Sequence, residues 1–365
     1  MNVFDTTTTK DLTLAQRRLA LLAWQGQEHI LKLGVTVDEA HWLERSAKID
    51  RTTLADKLRH NLPDWLSNSL RDQLGDEEFW ALVATLSAGA PLDLRVNPIK
   101  AKREAVLEEL IAGGIPATFT PFSPFGIRIE GKPALQKMDL YTKGHVEVQD
   151  EGSQLLSLLT GAKRGEMVVD FCAGAGGKTL SLGAMMRNTG RLYAFDISGH
   201  RLEKLKPRLA RSGLSNVYSA QIAHENDDRI KRLRGKIDRV LVDAPCSGLG
   251  TLRRNPDLKW RQSPKAVAEM QVKQLAIMNS AVRLLKPGGR IVYATCSLMP
   301  AENEVVAAQF SEAHPELIKV SALDILTQSG VENAATLVND LGHLRLWPHR
   351  HSTDGFYAAI WEKKA

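Results

Sequence analysis

Apolar residues recur at helical spacing through the first part of the chain. Leu14, Arg18, Leu21 and Leu22 open one periodic stretch, and Leu66, Leu70 and Leu74 mark another. Residues 10–90 therefore read as helical, and Pro91 ends the region. The pattern then shortens. Leu92–Val96 alternates like a strand, Lys100–Ile111 reads as an amphipathic helix stopped by Gly113-Gly114, and Phe125–Glu130 is a second strand candidate. Together they predict a small α+β module of about 60 residues.

From Asp150 the pattern changes again. Val168–Phe171, Arg191–Phe195, Val217–Ala220, Ile237–Val242 and Arg290–Ala294 are short apolar runs, and helical stretches separate the first three and the last two. This alternation predicts a parallel sheet with helices on both faces. Leu275, Met278, Val282 and Leu285 line one side of the last long helix, which Lys286-Pro287-Gly288-Gly289 is expected to stop, and Gly355–Glu362 reads as a further strand. The expected divisions are a helical region over 1–90, the α+β module over 91–150 and an α/β domain over 151–365.

Composition narrows the class. The 365 residues are 43% hydrophobic and 25% charged, which fits a soluble globular chain and excludes a collagen-like or disulfide-scaffold protein. No apolar run approaches the roughly 18–20 residues of a membrane span. The opening Met1–Asp5 has neither a positive start nor an apolar core, so no secretory signal and a cytoplasmic address are expected. The net charge of +6 suits a nucleic-acid partner as well as it suits a lysine-rich surface. The three cysteines, Cys172, Cys246 and Cys296, form no C-x-x-C pair, so reduced thiols and no metal site are expected.

The loop Asp170-Phe171-Cys172-Ala173-Gly174-Ala175-Gly176-Gly177-Lys178-Thr179 follows a buried strand and opens a helix. Its glycines let the backbone turn sharply and approach a ligand. Cys172 stands where a phosphate-binding P-loop needs glycine, and Thr179 stands where a dinucleotide fingerprint needs a third small residue. What remains is a nucleoside cofactor without a demanding phosphate. Asp196 ends the next strand, where a carboxylate can take both ribose hydroxyls, although it or Ser198 could equally cap a helix. Asp243-Ala244-Pro245-Cys246-Ser247-Gly248 and Tyr293-Ala294-Thr295-Cys296-Ser297 also follow strands. A lone cysteine there is more often a small buried residue. Two of them in two such loops, one after Asp-Ala-Pro, suit covalent chemistry on a pyrimidine: a thiolate adds to C6, C5 becomes nucleophilic, and a carboxylate holds the ring edge. A nearby cation such as Lys178 would lower a thiol pKa.

In these loops the chain resembles the Sun (Fmu) family of RNA cytosine-5 methyltransferases, whose signatures read D-x-C-A-A-P-G-G-K-T, D-A-P-C-S-G and T-C-S followed by E-N-E. Here they read Asp170–Thr179, Asp243–Gly248 and Thr295-Cys296-Ser297 with Glu302-Asn303-Glu304. Val148–Gln154, Arg253–Asp257 with Lys259-Trp260-Arg261, and Asp354-Gly355-Phe356 are similar too, so the likeness spans roughly residues 62–362. The resemblance implies a Rossmann-like methyltransferase domain with a mostly parallel seven-stranded sheet. It implies Cys296 as nucleophile, Cys246 in product release, Asp243 against base and cofactor, and Lys178 in the catalytic pocket. S-adenosyl-L-methionine would be held by Cys172, Ala173, Gly174, Ala175, Gly176, Gly177, Lys178, Asp196 and Asp243. The partner implied is RNA, ribosomal before transfer, and the α+β module would extend the RNA surface. The glycine loop departs from the family in reading Ala-Gly-Ala-Gly-Gly-Lys. No acid directly follows the third strand; His224, Glu225, Asp227 and Asp228 are the substitutes. Residues 1–60 do not match the larger helical domain of some bacterial members.

A target cytosine must be single-stranded or flipped out. Arg253, Arg254, Lys259 and Arg261, just past the Cys246 loop, are the first candidates for phosphate contacts. Lys231, Arg232, Arg234 and Lys236 read as an exposed helix end, and His349 and His351 lack the company a metal site needs. Two competing readings stand: a non-catalytic RNA-binding or ribosome-assembly factor on a methyltransferase fold, and a DNA cytosine-5 enzyme dependent on Cys246.

Overall fold

The computed structural model describes residues 9–23 and 35–365. The opening Met1–Asp5 and the part of the predicted helical region over 24–34 lie outside the described residues. Residues 1–61 and 62–365 are separate compact units. In the first, the helices Thr9–Ala23, Val37–Ala47 and Asp56–His60 follow one another. Thr36 and Glu39 form a reciprocal capping box at the start of the second helix, and Arg17 reaches Glu39 from the first.

The second unit opens with the helix Asp64–Ser87, interrupted at Gly75, whose φ of 73° is left-handed. Leu66 and Leu70 on one side of the break and Phe79 and Leu82 on the other are fully buried, against Leu249, Leu252, Leu298, Met299 and Trp347. Next comes a four-stranded antiparallel sheet in the order β2-β3-β1-β4, built from β1 (Leu92–Val96), β2 (Ala117–Phe119), β3 (Gly126–Ile129) and β4 (Val146–Val148). The helix Arg103–Ala112 sets Val106 and Leu110 on Leu94, Val96, Ile127 and Ile129. The other face of β1 is not a solvent face. Asp93 and Arg95 are buried as well: Asp93 pairs with Arg128 and accepts from the Glu151 amide, and Arg95 donates to the Gly177 carbonyl at 2.8 Å.

The main sheet runs β10-β12-β9-β8-β5-β6-β7. Its strands are β5 (Met167–Asp170), β6 (Arg191–Asp196), β7 (Val217–Gln221), β8 (Ile237–Asp243), β9 (Leu285–Thr295), β10 (Leu317–Val320) and β12 (Phe356–Lys363). The first five are mutually parallel; β12 runs antiparallel to β9 and to β10. A short eighth strand, β11 (Leu344–Leu346), pairs with the start of β12. Side chains alternate between two cores. Val240, Val242, Ile291, Tyr293 and Trp361 meet Ile277 and Met278 of the helix Pro264–Ala281; Leu241, Val292, Ala294 and Ile360 meet Leu155 and Leu159 of the helix Glu151–Leu159 and Leu182 of the helix Gly177–Met185.

One element differs from its prediction. The last long helix ends at Ala281 in a short 3₁₀ turn, and Lys286–Gly289 lies inside the irregular start of β9, with Gly288 at φ 72°. Leu285 pairs with Ile237 and Arg290 with Arg239 of β8, with Lys286 paired to Asp238 between them, so the segment extends the sheet instead of closing the helix. Among the described residues no helix is long and apolar enough to cross a membrane.

Candidate active site

Parallel strands bring their carboxyl ends to one edge, where open α/β sheets bind ligands. Asp170, Asp196 and Asp243 are the last residues of β5, β6 and β8, and Cys296 follows β9 directly. After β5 the chain turns through Gly174 and Gly176, at φ 56° and 85°. A Cβ on Gly176 would stand 2.1 Å from a Leu205 methyl, so only glycine lets this loop close on the helix Gly199–Ser212. Thr179 donates to Asp170 at 2.7 Å and anchors the helix that follows. Asp196 accepts the Gly174 and Ser198 amides at 2.8 and 2.7 Å, locking loop to strand end.

A cleft of about 640 Å³ opens here. Cys172, Ala173, Gly174, Ala175, Gly177, Lys178, Asp196, Asp243, Cys246 and Cys296 all line it; Gly176 faces Leu205 instead. Lys178 donates to Asp243 at 2.7 Å. Burial works against the ammonium, but the Asp243 carboxylate more than restores it, and the Lys178 pKa is raised. The Cys246 and Cys296 sulfurs are 3.4 Å apart, both free thiols. The hydrogen bond with Cys296, and then burial, push the Cys246 thiol well above its ordinary value, so it holds its proton. Burial does the same to Cys172.

The loops are pinned from behind. Ala244 donates to the Ala294 carbonyl and Gly250 to the Cys296 carbonyl, each at 2.8 Å. Glu302 receives Ser247 from one loop and Ser297 from the other. Asn303 bonds Thr295 and the Ser297 carbonyl. Arg208, paired with Glu147 of β4, donates to the Ala175 carbonyl at 2.6 Å, so the small sheet supports the glycine loop.

The cations past Cys246 divide. The Arg253 side chain is only 5% exposed and pairs with Asp354. Arg254 is paired with Asp354 and Asp150. Lys259 is half-buried, and burial lowers its pKa; Arg261 is exposed and bonded to Asp257. Trp260 between them is 58% exposed. Lys231 pairs with Asp228, and His349 and His351 bond Glu78 and Thr336. Of the acids after β7, Glu225 lines the cleft, whereas Asp227 caps the next short helix. Sequence reasoning missed Arg201, Arg208, Met270 and Lys273. Met270, Lys273 and Ile277 sit at i, i+3 and i+7 on one helix, so their shared face was readable from spacing.

Residues 157–362 match the model of the 16S rRNA methyltransferase RsmB/F family, and 62–136 match the ferredoxin-like domain of RsmF/B-like methyltransferases. The chain belongs to the RsmB/F family. A probable ribosomal RNA small subunit methyltransferase B from Synechocystis sp. is 34% identical over 84% of this chain and 67% of its own length. Its namesake from Bacillus subtilis is 31% identical over 83% and 66%. This RsmB/F chain thus spans about two thirds of those relatives. A methyltransferase homologue from Pyrococcus horikoshii superposes with a TM-score of 0.71 at 26% identity, covering 86% of this chain and all of its own. NSun6 from the same organism shares the fold, with a TM-score of 0.70 at 20% identity over 83% of this chain and 98% of its own.

Proposed function

We propose that this RsmB/F-family chain methylates C5 of a cytosine in ribosomal RNA, with S-adenosylmethionine as donor and Cys296 as the covalent nucleophile. One observation carries the reading: two free thiols 3.4 Å apart share a cleft with the Lys178–Asp243 pair and the glycine loop. Ribosomal RNA is the substrate class because the curated relatives are named for it.

The residues present fit the donor. The cleft is wide enough for a nucleoside, its wall is a loop with two left-handed glycines, and Asp196 and Glu225 stand on it as ribose and adenine acceptors. When bound, S-adenosylmethionine supplies an electrophilic methyl group. The chain does the rest. The Cys296 thiol gives its proton to solvent, and its sulfur bonds to C6 and drives electron density onto C5. Asp243, held by Lys178, accepts from the ring edge. Lys178 keeps its positive charge beside the sulfur. Once Cys296 is bonded to carbon, Cys246, whose sulfur lies 3.4 Å from that of Cys296, gives its own proton to solvent and serves as the base for the C5 proton. For RNA, exposed Trp260 with Lys259 and Arg261 offers a stacking face with charge beside it.

Tritium transfer from S-adenosylmethionine to 16S ribosomal RNA tests this. Cys296→Ala should lose at least about a thousandfold in turnover while still binding the donor. Cys246→Ala should accumulate an SDS-resistant protein–RNA adduct. Full turnover by Cys296→Ala would overturn the nucleophile, and activity on duplex DNA requiring Cys246 would favour a DNA enzyme. A non-catalytic assembly factor predicts RNA binding with no transfer by the wild type.

A further inference from the structure

The two cysteine loops meet at one fully buried carboxylate. Glu302 lies in the 3₁₀ turn Pro300–Glu302 beyond the Cys296 loop and is 0% exposed. One of its oxygens accepts the Ser247 amide at 2.7 Å and the Gln274 carboxamide at 3.2 Å. The other accepts the hydroxyls of both Ser247 and Ser297, themselves 3.1 Å apart. The residue after each cysteine therefore hangs on the same side chain. Four donors converge, and an acceptor-only group is what satisfies them all.

The loops differ in what else holds them. Both loops leave strands paired on both sides, but at the serine after each cysteine they differ: the Ser297 amide donates to the Thr295 hydroxyl, not to Glu302. In the Cys296 loop, the carbonyls at Cys296, Ser297 and Leu298 are taken by Gly250, Asn303 and Arg345. In the Cys246 loop, Gln274 and Gln262 take the Pro245 and Ser247 carbonyls, while both the amide and the hydroxyl of Ser247 end on Glu302. Removing Glu302 takes the acceptor from both the amide and the hydroxyl of Ser247, and from the hydroxyl alone of Ser297.

We infer that Glu302 is a positioning residue that holds the Cys246 sulfur beside Cys296 and so governs release of the covalent adduct more than its formation. This rests on the reading of Cys296 as nucleophile and Cys246 as the base of release. In that step the C5–H bond breaks and its electron pair forms the C5=C6 double bond. The C6–S bond breaks with its pair returning to the Cys296 sulfur, and the Cys246 thiolate takes the proton. The Cys296 thiolate then takes a proton from solvent, and both thiols are restored. A displaced Cys246 slows this step and leaves attack at C6 intact.

The test compares Glu302→Gln, Ser247→Ala and Ser297→Ala in the full chain, with in vitro transcribed 16S ribosomal RNA and S-adenosylmethionine. Tritium transfer and denaturing gels are read together. Turnover should fall about 10- to 100-fold in Glu302→Gln and Ser247→Ala, the scale of a lost charged hydrogen bond. The RNA KM should stay within about twofold. Both variants should accumulate the SDS-resistant adduct, as Cys246→Ala does; Ser297→Ala should lose less and accumulate none. Should Glu302→Gln not fold, Ser247→Ala gives the same readout. Loss of turnover without adduct, equal behaviour of the two serine variants, or wild-type turnover in Ser247→Ala would overturn the inference. Absence of adduct in Cys246→Ala, with an active wild type, would instead overturn the reading beneath it.

Discussion

Asp170 shows how one residue can be read too simply. In the sequence it is the start of a glycine loop; in the fold it is a fully buried carboxyl whose second oxygen has no partner. Burial pushes it up to about 7 against the pull of the Thr179 hydroxyl. Its folded pKa thus lies above the unfolded value near 4, so the folded state binds this proton more tightly. Stability should fall as pH rises between the two values and stay reduced above about 7. Asp170→Asn keeps an acceptor for Thr179 and removes the ionisation. Its Tm should gain on the wild type from about pH 5 to about pH 8, and a difference that does not vary with pH contradicts the account. Cys246, Cys296, Asp243 and Lys178 were legible as a group because each stands at the end of a buried strand or in the loop or helix start that follows one. The pairing of Arg253 was not legible, because its partner, Asp354, lies far along the chain and spacing carries no sign of such a pair.

At the scale of elements, the strand pattern was readable because parallel strands buried on both faces leave continuous apolar runs. What escaped it was short or polar. β11 is three residues long, and Lys286–Gly289 carries turn residues into a strand. The polar residues of β1, Asp93 and Arg95, are buried, which alternation alone does not reveal. The close approach of the two cysteine loops was equally invisible, because it depends on a missing side chain. A Cβ on Gly250 would stand 2.1 Å from the Gly355 carbonyl and 2.8 Å from that of Cys296. Gly250→Ala should therefore destabilise the protein by about 1–3 kcal/mol, measured by denaturant unfolding, and slow adduct formation. Unchanged stability would show that these loops yield more easily than their close packing indicates.

Across the whole 62–365 unit, the small sheet and the main sheet share the support of the cofactor loop, through Arg95 on Gly177 and Arg208 on Ala175. RNA is expected on the side where Trp260 is exposed. Replacing Lys259 and Arg261 together by alanine should lower the salt dependence of RNA binding by about 0.7 for each phosphate no longer neutralised, and leave donor affinity unchanged. An unaltered salt slope places the RNA elsewhere. All of this depends on a carbon–sulfur bond at one position. The most direct measurement is peptide mass spectrometry of the adduct trapped by Cys246→Ala on 16S ribosomal RNA. The account predicts a 5-methylcytidine mass on the peptide carrying Cys296. The same mass on any other residue, or no adduct from a folded protein whose wild type transfers methyl groups, would contradict it.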